Sequence, residues 1–284
     1  MGSLAKSLPS DGLAGFRDVD SVQDPLAYAK FLDQFAAAFC DMIGTGIDLL
    51  HLKEGDAAFD LGCGHGAAFP ALAARVGGSG RVVGLDASQV LIAEGRRRLE
   101  HSGLPVEFHH GDAHALPFAD RIFSAARADR VFIFLRAPRA ALDELVRVTE
   151  PGGRLVVTES DIETAAVDAT DAATTRVLLA ELADQQCNGR IGRQLRSMFV
   201  DAGLEDVGLR LFPIQSTSLA EWNSRVGAEA ALGRCVNAGR LSEAAAAAWI
   251  EELRERDAAG RFLATGMFYM VSASKPGGSR PRQP

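Results

Sequence analysis

Cysteine, tyrosine, tryptophan and lysine are all scarce in this chain of 284 residues. The four cysteines, Cys40, Cys63, Cys187 and Cys235, form no Cys-x-x-Cys pair. Their spacing therefore predicts neither a metal site nor a redox pair. We expect free thiols in a reducing compartment, and hence a cytoplasmic protein.

Long apolar runs are also missing. No stretch reaches the roughly 18 apolar residues of a membrane span, so the sequence predicts no transmembrane helix. The first residues lack the apolar core of a signal peptide. Acidic residues outnumber basic ones, 37 to 30, for a net charge of −7. An acidic surface is a poor electrostatic match for nucleic acid or an anionic membrane, and we expect neither as a partner.

Strand and helix signals alternate in the first half of the chain, five times in succession. The predicted strands lie within residues 55–64, 80–86, 106–113, 122–135 and 154–160. Such alternation is typical of an α/β protein with a Rossmann-like, mostly parallel sheet, right-handed crossovers and helices on both faces. Ligands bind these sheets beyond the carboxyl ends of the strands.

The pattern changes after residue 160. Helices are predicted within residues 173–204, a strand at 205–214, a helical insertion at about 215–258 and a last strand at 267–274. We divide the chain into an N-terminal arm with lid helices (1–54), a main domain that carries the insertion as a helical lid (55–275), and a disordered tail (276–284).

The segment FDLGCGHGAAFP follows the first predicted strand. Its glycines fit two templates, the Gly62-x-Gly64-x-x-Ala turn of dinucleotide sites and a Gly62-x-Gly64-x-Gly66 turn. Asp60 distinguishes them, because a carboxylate beside this turn repels a pyrophosphate and attracts an ammonium or a sulfonium. S-adenosylmethionine carries both cations and no phosphate, so these residues favour it as the cofactor.

Two more acids follow the next two predicted strands. Asp86 lies 20 residues past Gly66, where a carboxylate accepts both ribose hydroxyls; NAD sites use the same contact, so Asp86 does not separate the two cofactors. Asp112 can accept the adenine amino group. Ala87 and Ala113 would offer backbone N–H groups or packing to the adenine. A helix N-cap at Asp86 and an Asx-turn at Asp112 are the structural alternatives.

Together these motifs resemble the class I S-adenosylmethionine-dependent methyltransferases of the small-molecule type, as in ubiquinone and menaquinone biosynthesis and bacterial natural-product pathways. FDLGCGHG resembles the family's first motif, GLDAS its second-strand acid, GDAHALPFAD its third motif and VTEPGGRLVVTES its fifth-strand region. The resemblance covers roughly residues 55–160. It implies a seven-stranded sheet of order 3-2-1-4-5-7-6 with strand 7 antiparallel. Phe134 stands where many relatives carry a histidine, and His65 where threonine is common, which leaves the catalytic assignment open.

Methyl transfer requires alignment, exclusion of water and sometimes one proton acceptor, so no fixed set of residues marks the acceptor site. Our catalytic candidates are His114 and Asp161 as bases and Arg130 as the guanidinium that holds an acidic acceptor. Arg127 is assigned to the cofactor, although it can also hold an acceptor. A solvated loop histidine and surface ion pairs are the alternatives.

The N-terminal helix and the insertion carry the aromatic candidates. Tyr28 and Phe31 are expected to cover the methionine end of the cofactor, with core packing as the alternative. Trp222 and Trp249 serve as lid aromatics or as core. The alanines and few charges of the insertion indicate an apolar pocket, suited to an aromatic or polyketide-like metabolite.

We therefore expect S-adenosylmethionine-dependent methyl transfer to a small organic acceptor in bacterial secondary metabolism, by a protein that can form a homodimer. The alternative is a protein that binds S-adenosylmethionine without methyl transfer, either a cyclase that uses its charge or a sensor. An NAD-dependent enzyme is less favoured, because neither Tyr28 nor Tyr269 has a lysine four residues later, as short-chain dehydrogenases do.

Overall fold

The computed structural model describes residues 12–277, and seven strands form one sheet. The strands are β1 (Ala57–Leu61), β2 (Arg81–Asp86), β3 (Val106–His110), β4 (Phe123–Asp129), β5 (Thr149–Val167), β6 (Glu205–Ser216) and β7 (Ala264–Ser274). Their spatial order is β3-β2-β1-β4-β5-β7-β6. Strands β1 to β5 run parallel, and β7 is antiparallel to both of its neighbours. The predicted fold class and strand order are confirmed.

Helices surround the sheet. They are α1 (Pro25–Ala38), α2 (Cys40–Asp48), α3 (Phe69–Val76), α4 (Gln89–Leu99), α5 (Pro138–Val148), α6 (Ala172–Asp184), α7 (Ile191–Asp201), α8 (Leu219–Val226), α9 (Ala228–Asn237) and α10 (Glu243–Ala258). Short 3₁₀ turns lie at Gly12–Arg17, Val19–Ser21 and Phe132–Phe134. Among the described helices, none is long and apolar enough to cross a membrane.

Two apolar layers sandwich the sheet. On one face, α5 and α7 bury leucines such as Leu145 and Leu195. On the other face, α1, α2 and α3 bury Phe35, Ile47 and Leu72. Because the carboxyl ends of parallel strands meet at one edge, the polar residues that end β1, β2, β3 and β4 are brought to the same side of the sheet.

Several element boundaries differ from the sequence prediction. Strand β5 is longer than the predicted 154–160 and bulges between Asp161 and Ala166 in its pairing with β7. The fourth strand ends at Asp129, after which the chain enters a 3₁₀ turn, because Arg130 adopts a left-handed φ of 58° that no strand accommodates.

Three helices, α8, α9 and α10, lie between β6 and β7, within the stretch predicted as a helical insertion. They pack against α6 in a cluster of their own that includes Trp222 and Trp249. Trp249 is fully buried, and its indole N–H donates to Thr175 Oγ1 at 2.9 Å. Trp249 is therefore part of this core, which is the second of the two roles that the sequence left open.

Residues 12–24 precede α1 and are called the strap here. Arg17 donates from its guanidinium to the backbone oxygen of Gln185, which caps the end of α6. Asp20 accepts from Ser88 Oγ at 2.5 Å and from the backbone N–H of Gln89 at 2.8 Å, at the start of α4. The strap thus connects α6 with α4. Of the predicted arm and tail, residues 1–11 and 278–284 lie outside the described residues.

Candidate active site

The chain leaves β1 through a glycine turn. Gly62, Gly64 and Gly66 have φ values of 67°, 54° and 77°, in the left-handed region that glycine enters without cost. A Cβ atom on Gly62 would lie 2.3 Å from Val131 Cγ2. The turn therefore packs directly against the loop that follows β4, and its backbone forms a cradle that larger residues would fill.

Asp60 lies beside this turn, buried in β1. The register of the sheet pairs it with Arg127 of β4, whose Nη1 is 3.5 Å from Asp60 Oδ2. Burial raises the pKa of Asp60 to about 6, Asp129 and Asp86 push it in the same direction, and Arg127 opposes them. At neutral pH Asp60 is therefore an ionised carboxylate in a poorly solvated place, which strongly attracts a cation.

Asp86, at the end of β2, joins the glycine turn to helix α4. Its Oδ2 accepts the N–H of Gly64 at 2.7 Å, and its Oδ1 accepts the N–H of Ser88 at 2.9 Å. Burial raises the pKa of Asp86, and these N–H donors act against that shift. The side chain that caps α4 is Ser88, which accepts the N–H of Leu91. Asp86 is thus not the N-cap of this helix.

Asp112 follows β3. Its Oδ1 accepts the backbone N–H of His114 at 2.9 Å and lies 2.6 Å from His114 Nδ1. These hydrogen bonds lower the pKa of Asp112. The backbone N–H of Ala137 donates to His114 Nε2 at 3.3 Å. His114 Nδ1 therefore carries the proton that bonds Asp112, and both ring nitrogens are engaged.

A chain of charges continues from Asp60 along the end of β4. Arg127 Nη2 lies 2.8 Å from Asp129 Oδ2, and Arg130 Nε lies 3.3 Å from Asp129 Oδ1. The Arg130 guanidinium stacks on Phe35 of α1, with Cζ 3.3 Å from the ring centroid. Within residues 12–277, Asp129 is the only hydrogen-bond partner of this guanidinium, through Nε. Both Nη groups of Arg130 are therefore available as donors.

Two cavities meet at Arg130. The glycine-turn cavity, about 930 Å³ with its open mouth, is bounded by Asp60, the turn, Arg127, Asp129 and helices α1 and α2. The aromatic cavity, about 1210 Å³ with its mouth, lies next to it. Its aromatic lining consists of Phe16, Phe31, Phe35, Phe39, Phe134, Trp222 and Phe268. Arg130 lines both cavities, so its guanidinium lies at their junction.

Helix α1 roofs the glycine turn. Asp33 Oδ1 lies 2.7 Å from His65 Nε2 and 2.9 Å from Arg98 Nη1, so one carboxylate ties α1 to the turn and to α4. The other ring nitrogen of His65, Nδ1, is buried and has no hydrogen-bond partner among the described residues. His65 also lines the glycine-turn cavity. It thus fixes the lid helix on the turn.

The remaining predicted residues occupy different places. Asp161 borders the aromatic cavity, but its two oxygens bind Arg193 at 2.5 and 2.6 Å. Phe31 and Trp222 also line that cavity. Tyr28 is fully buried against Phe16, with ring centroids 4.6 Å apart. Tyr28 and His114 line neither of the two cavities.

Known proteins are similar to this chain in sequence. Residues 58–153 match the family model described as a methyltransferase domain. Over 263 residues the chain is 37% identical to an uncharacterised 37.1 kDa protein of transposon TN4556 in Streptomyces fradiae. The matched stretch spans 89% of this chain and 72% of that protein. A stretch of 105 residues is 42% identical to the demethylmenaquinone methyltransferase of Clavibacter sepedonicus, spanning 37% of this chain and 41% of that enzyme.

The fold has solved counterparts. A methyltransferase structure from Bacillus halodurans C-125 superposes with a TM-score of 0.59 at 19% identity, over 82% of this chain and 98% of that one. The chain belongs to the class I S-adenosylmethionine-dependent methyltransferases. This confirms the predicted family and S-adenosylmethionine as the cofactor of this methyltransferase. The chain spans less than half of the demethylmenaquinone enzyme, so that enzyme's acceptor is not carried over.

The residues of the methyltransferase fit the cofactor. The glycine cradle leaves room where a Cβ would clash, and the buried acid Asp60 faces a cavity that suits a cation. Among the described residues, no group of three or more His, Cys, Asp or Glu side chains is placed to hold a metal ion.

Sequence reasoning missed four acids of the methyltransferase: Asp20, Asp33, Asp129 and Glu159. Two of them carried a readable signal. Asp129 follows Arg127 by two residues at a strand end, and Glu159 interrupts the apolar run of β5. Asp20 and Asp33 carried none, because their partners are 68 and 32 residues away.

Proposed function

We propose that this methyltransferase transfers the methyl group of S-adenosylmethionine to a small, largely apolar organic acceptor in bacterial secondary metabolism. The observation that carries the proposal is that Arg130 lines both the charged cavity beside the glycine turn and the aromatic cavity, so that the two adjoin at its side chain. Transfer in line requires the two reactants to lie end to end, as adjoining cavities allow.

The cofactor contacts follow the strand ends. Asp60 would attract the ammonium group, and the backbone of the glycine turn would hold the methionine end. Asp86 would accept the ribose hydroxyls. Asp112, with Ala87 and Ala113, would receive the adenine. Arg127 orients Asp60 from β4. When bound, S-adenosylmethionine supplies the methyl group on a sulfonium, which is an activated leaving group.

Arg130 would bind the acceptor beside its reacting atom. Its Nη groups have no hydrogen-bond partner among the described residues, and its stacking on Phe35 fixes the plane of the guanidinium. A guanidinium favours a phenolate or enolate oxygen over the protonated form. An acceptor with an acidic hydroxyl therefore ionises in place and needs no dedicated base. This agrees with the commitment of Asp161 to Arg193 and of His114 to Asp112.

The aromatic cavity would bind the rest of the acceptor by excluding water. Seven aromatic rings line it, and its charged or polar members, such as Arg225 and Gln215, are few. Apolar contact contributes about 25 cal/mol for each Å² removed from water. Aromatic or polyketide-type metabolites have the flat apolar faces and acidic hydroxyls that match this lining. We propose that the N-terminal arm (1–54) and the insertion (about 215–258) shape this pocket.

An alternative remains where the cofactor binds but no methyl group moves, as in a cyclase that uses the sulfonium charge. The observation that favours it is that both candidate bases, His114 and Asp161, already have partners. It predicts conversion of an acceptor without formation of S-adenosylhomocysteine.

The test is a mass-spectrometric screen of phenolic, naphthoquinol and polyketide-type acceptors with the purified protein and S-adenosylmethionine. We expect at least one methylated product with stoichiometric S-adenosylhomocysteine. Arg130→Gln should raise KM for the acceptor by about tenfold or more, because a charge-assisted contact contributes about 1.5–3 kcal/mol.

Arg196→Gln serves as the matched control, since Arg196 is exposed on α7 and away from both cavities. It should behave as the wild type. An acceptor consumed without S-adenosylhomocysteine would establish the alternative instead. Equal acceptor KM in Arg130→Gln and Arg196→Gln would contradict the role of Arg130.

A further inference from the structure

Glu159 is a buried carboxyl group for which the proposed mechanism has no use. It lies on β5 and is 0% exposed. Its Oε1 accepts the backbone N–H of Ile133 at 3.4 Å. Its Oε2 is buried and has no hydrogen-bond partner within residues 12–277. An orphaned carboxyl oxygen in an apolar layer is costly, so it requires a functional explanation.

The groups near Glu159 come from three places in the fold. The end of β4 supplies Asp129, the next residue supplies the cation Arg130, and the 3₁₀ turn at Phe132–Phe134 supplies backbone N–H groups. In register across the sheet, β7 places Tyr269 opposite Glu159. Arg193 of α7 is held by Asp161. The charges that act on Glu159 therefore belong to the wall of the glycine-turn cavity.

We call Asp60, Arg127, Asp129, Arg130 and Glu159 the charge cluster. Its three acids outnumber its two guanidinium groups, and Asp86 adds a further carboxylate that acts on Asp60. Buried excess negative charge is reduced by protonation. Burial, with Asp129 acting in the same direction, raises the pKa of Glu159 to about 8. Without ligand at neutral pH, Glu159 therefore holds a proton.

The two forms of the cofactor differ by one charge. S-adenosylmethionine has a sulfonium, an ammonium and a carboxylate, for a net charge of plus one, whereas S-adenosylhomocysteine is neutral overall. Four members of the charge cluster line the cavity that receives the methionine end. A nearby positive charge favours the ionised form of an acid. The first ligand therefore stabilises the anion of Glu159, and the second does so far less.

We propose that Glu159 is the charge-balancing group of this site, which releases its proton when S-adenosylmethionine binds and regains one when methyl transfer removes the sulfonium charge. In that reaction the carbon–sulfur bond breaks with its electrons left on sulfur, the acceptor forms the new bond with its lone pair, and the acceptor loses a proton. One proton is therefore available for Glu159 in each turnover. The inference rests on the proposed function of the glycine-turn cavity.

The test measures how many protons are released when each ligand binds. The protein is titrated with each of the two ligands by calorimetry at pH 7.5, in phosphate and in Tris, whose ionisation enthalpies differ. S-adenosylmethionine should release about three quarters of a proton more than S-adenosylhomocysteine, which is the protonated fraction of an acid with a pKa of about 8. The sulfonium also acidifies the ligand's own ammonium group, so the protons exchanged by that group, known from titration of each free ligand, are subtracted. The remaining difference reports on the protein. At pH 9 the difference should shrink to about a tenth of a proton.

Two variants test whether the released proton comes from Glu159. Glu159→Gln mimics the protonated acid and should abolish the difference between the ligands. Glu150→Gln places the same change on the exposed, opposite end of β5 and should leave the difference intact. Circular dichroism checks the fold of both variants, and the wild-type comparison decides even if Glu159→Gln does not fold.

Equal proton counts for the two ligands in the wild type would overturn the role of Glu159, as would a difference that survives in Glu159→Gln. Binding of neither ligand would instead contradict the cofactor site itself. The two failures are therefore distinguishable in one set of titrations.

Discussion

The two cavities that meet at Arg130 are lined by different kinds of chemical groups. The glycine-turn cavity is defined by backbone geometry and by buried charges, namely Asp60, Arg127 and Asp129. The aromatic cavity is defined by ring faces contributed from α1, the turn after β4, α8 and β7. One cavity therefore recognises its ligand by the position of a few atoms, and the other by the area and shape of an apolar surface.

This difference determines how each cavity tolerates change. A glycine with a left-handed φ or a paired buried charge cannot be replaced by a similar residue without loss of stability. The replacement strains the backbone in the first case and leaves an unpaired buried ion in the second. Apolar walls accept other side chains of similar volume at small cost. The first cavity therefore suits one ligand of fixed chemical structure, and the second suits acceptors whose structures vary. Three substitutions test this contrast, in order of decreasing effect.

Gly62→Ala should destabilise the protein most. Its Cβ would lie 2.3 Å from Val131 Cγ2 at a φ of 67°. Left-handed strain and overpacking together cost about 2–5 kcal/mol. Urea unfolding measures the loss. Gly203→Ala is the matched control, since its φ is 72° and a Cβ there meets nothing within 4 Å; it should lose only about 1–2 kcal/mol. Equal losses would show that contact with Val131 is unimportant.

Asp60→Asn should weaken S-adenosylmethionine binding by about 10- to 100-fold, because a buried charge-assisted contact contributes about 1.5–3 kcal/mol. Since the pKa of Asp60 is about 6, protonation of this carboxylate should steepen the fall of wild-type affinity below pH 6, in addition to the loss below about pH 8 that the proton release from Glu159 causes. Calorimetry from pH 5 to 8 follows both effects.

The control for this substitution is Asp143→Asn, on the exposed face of α5, where Asp143 pairs with Arg139. Its affinity and pH profile should match the wild type. If Asp60→Asn lost affinity below pH 6 as steeply as the wild type, the loss would have to come from another titrating group.

Phe35→Leu should act on the acceptor and spare the cofactor. It removes the ring on which Arg130 stacks, a contact that contributes about 1–2 kcal/mol, so KM for the acceptor should rise about five- to thirtyfold. The dissociation constant of S-adenosylmethionine should change less than twofold. Phe39→Leu removes a neighbouring ring of the same cavity, which packs on Phe35 at 4.3 Å, but it leaves the Phe35 ring beneath Arg130 in place and should have the smaller effect. The reverse ranking would contradict the stacking role.

The cofactor half was predictable from the sequence because its signals are local. The turn Gly62-x-Gly64-x-Gly66, the acid Asp60 before it and Asp86 at the next strand end lie within 27 residues. The parallel register of β1, β2 and β4 then places their ends side by side without further information. Fold class and strand order followed from the same alternation and from the family resemblance.

The acceptor half was less predictable because its residues meet only through tertiary packing. Tyr28 and Phe31 lie on the same helix three residues apart, yet Tyr28 is buried against Phe16 and Phe31 faces the cavity. The side chain of His114 is hydrogen-bonded to Asp112. The sequence suggested a local turn at Asp112, but it gave no sign that the histidine would be a partner of this carboxylate. Glu159 was missed although it interrupts the apolar run of β5, because an acid in a sequence is more often exposed than buried.

The strap connects the wall of the aromatic cavity with two helices that are far apart in the sequence. Phe16 lines the aromatic cavity, Arg17 is bound at the end of α6, and Asp20 is bound at the start of α4 beside Ser88. Because these three contacts lie within five consecutive residues, the position of Phe16 in the cavity wall is set by anchors on two helices. The shape of the acceptor pocket therefore depends on hydrogen bonds made outside the pocket.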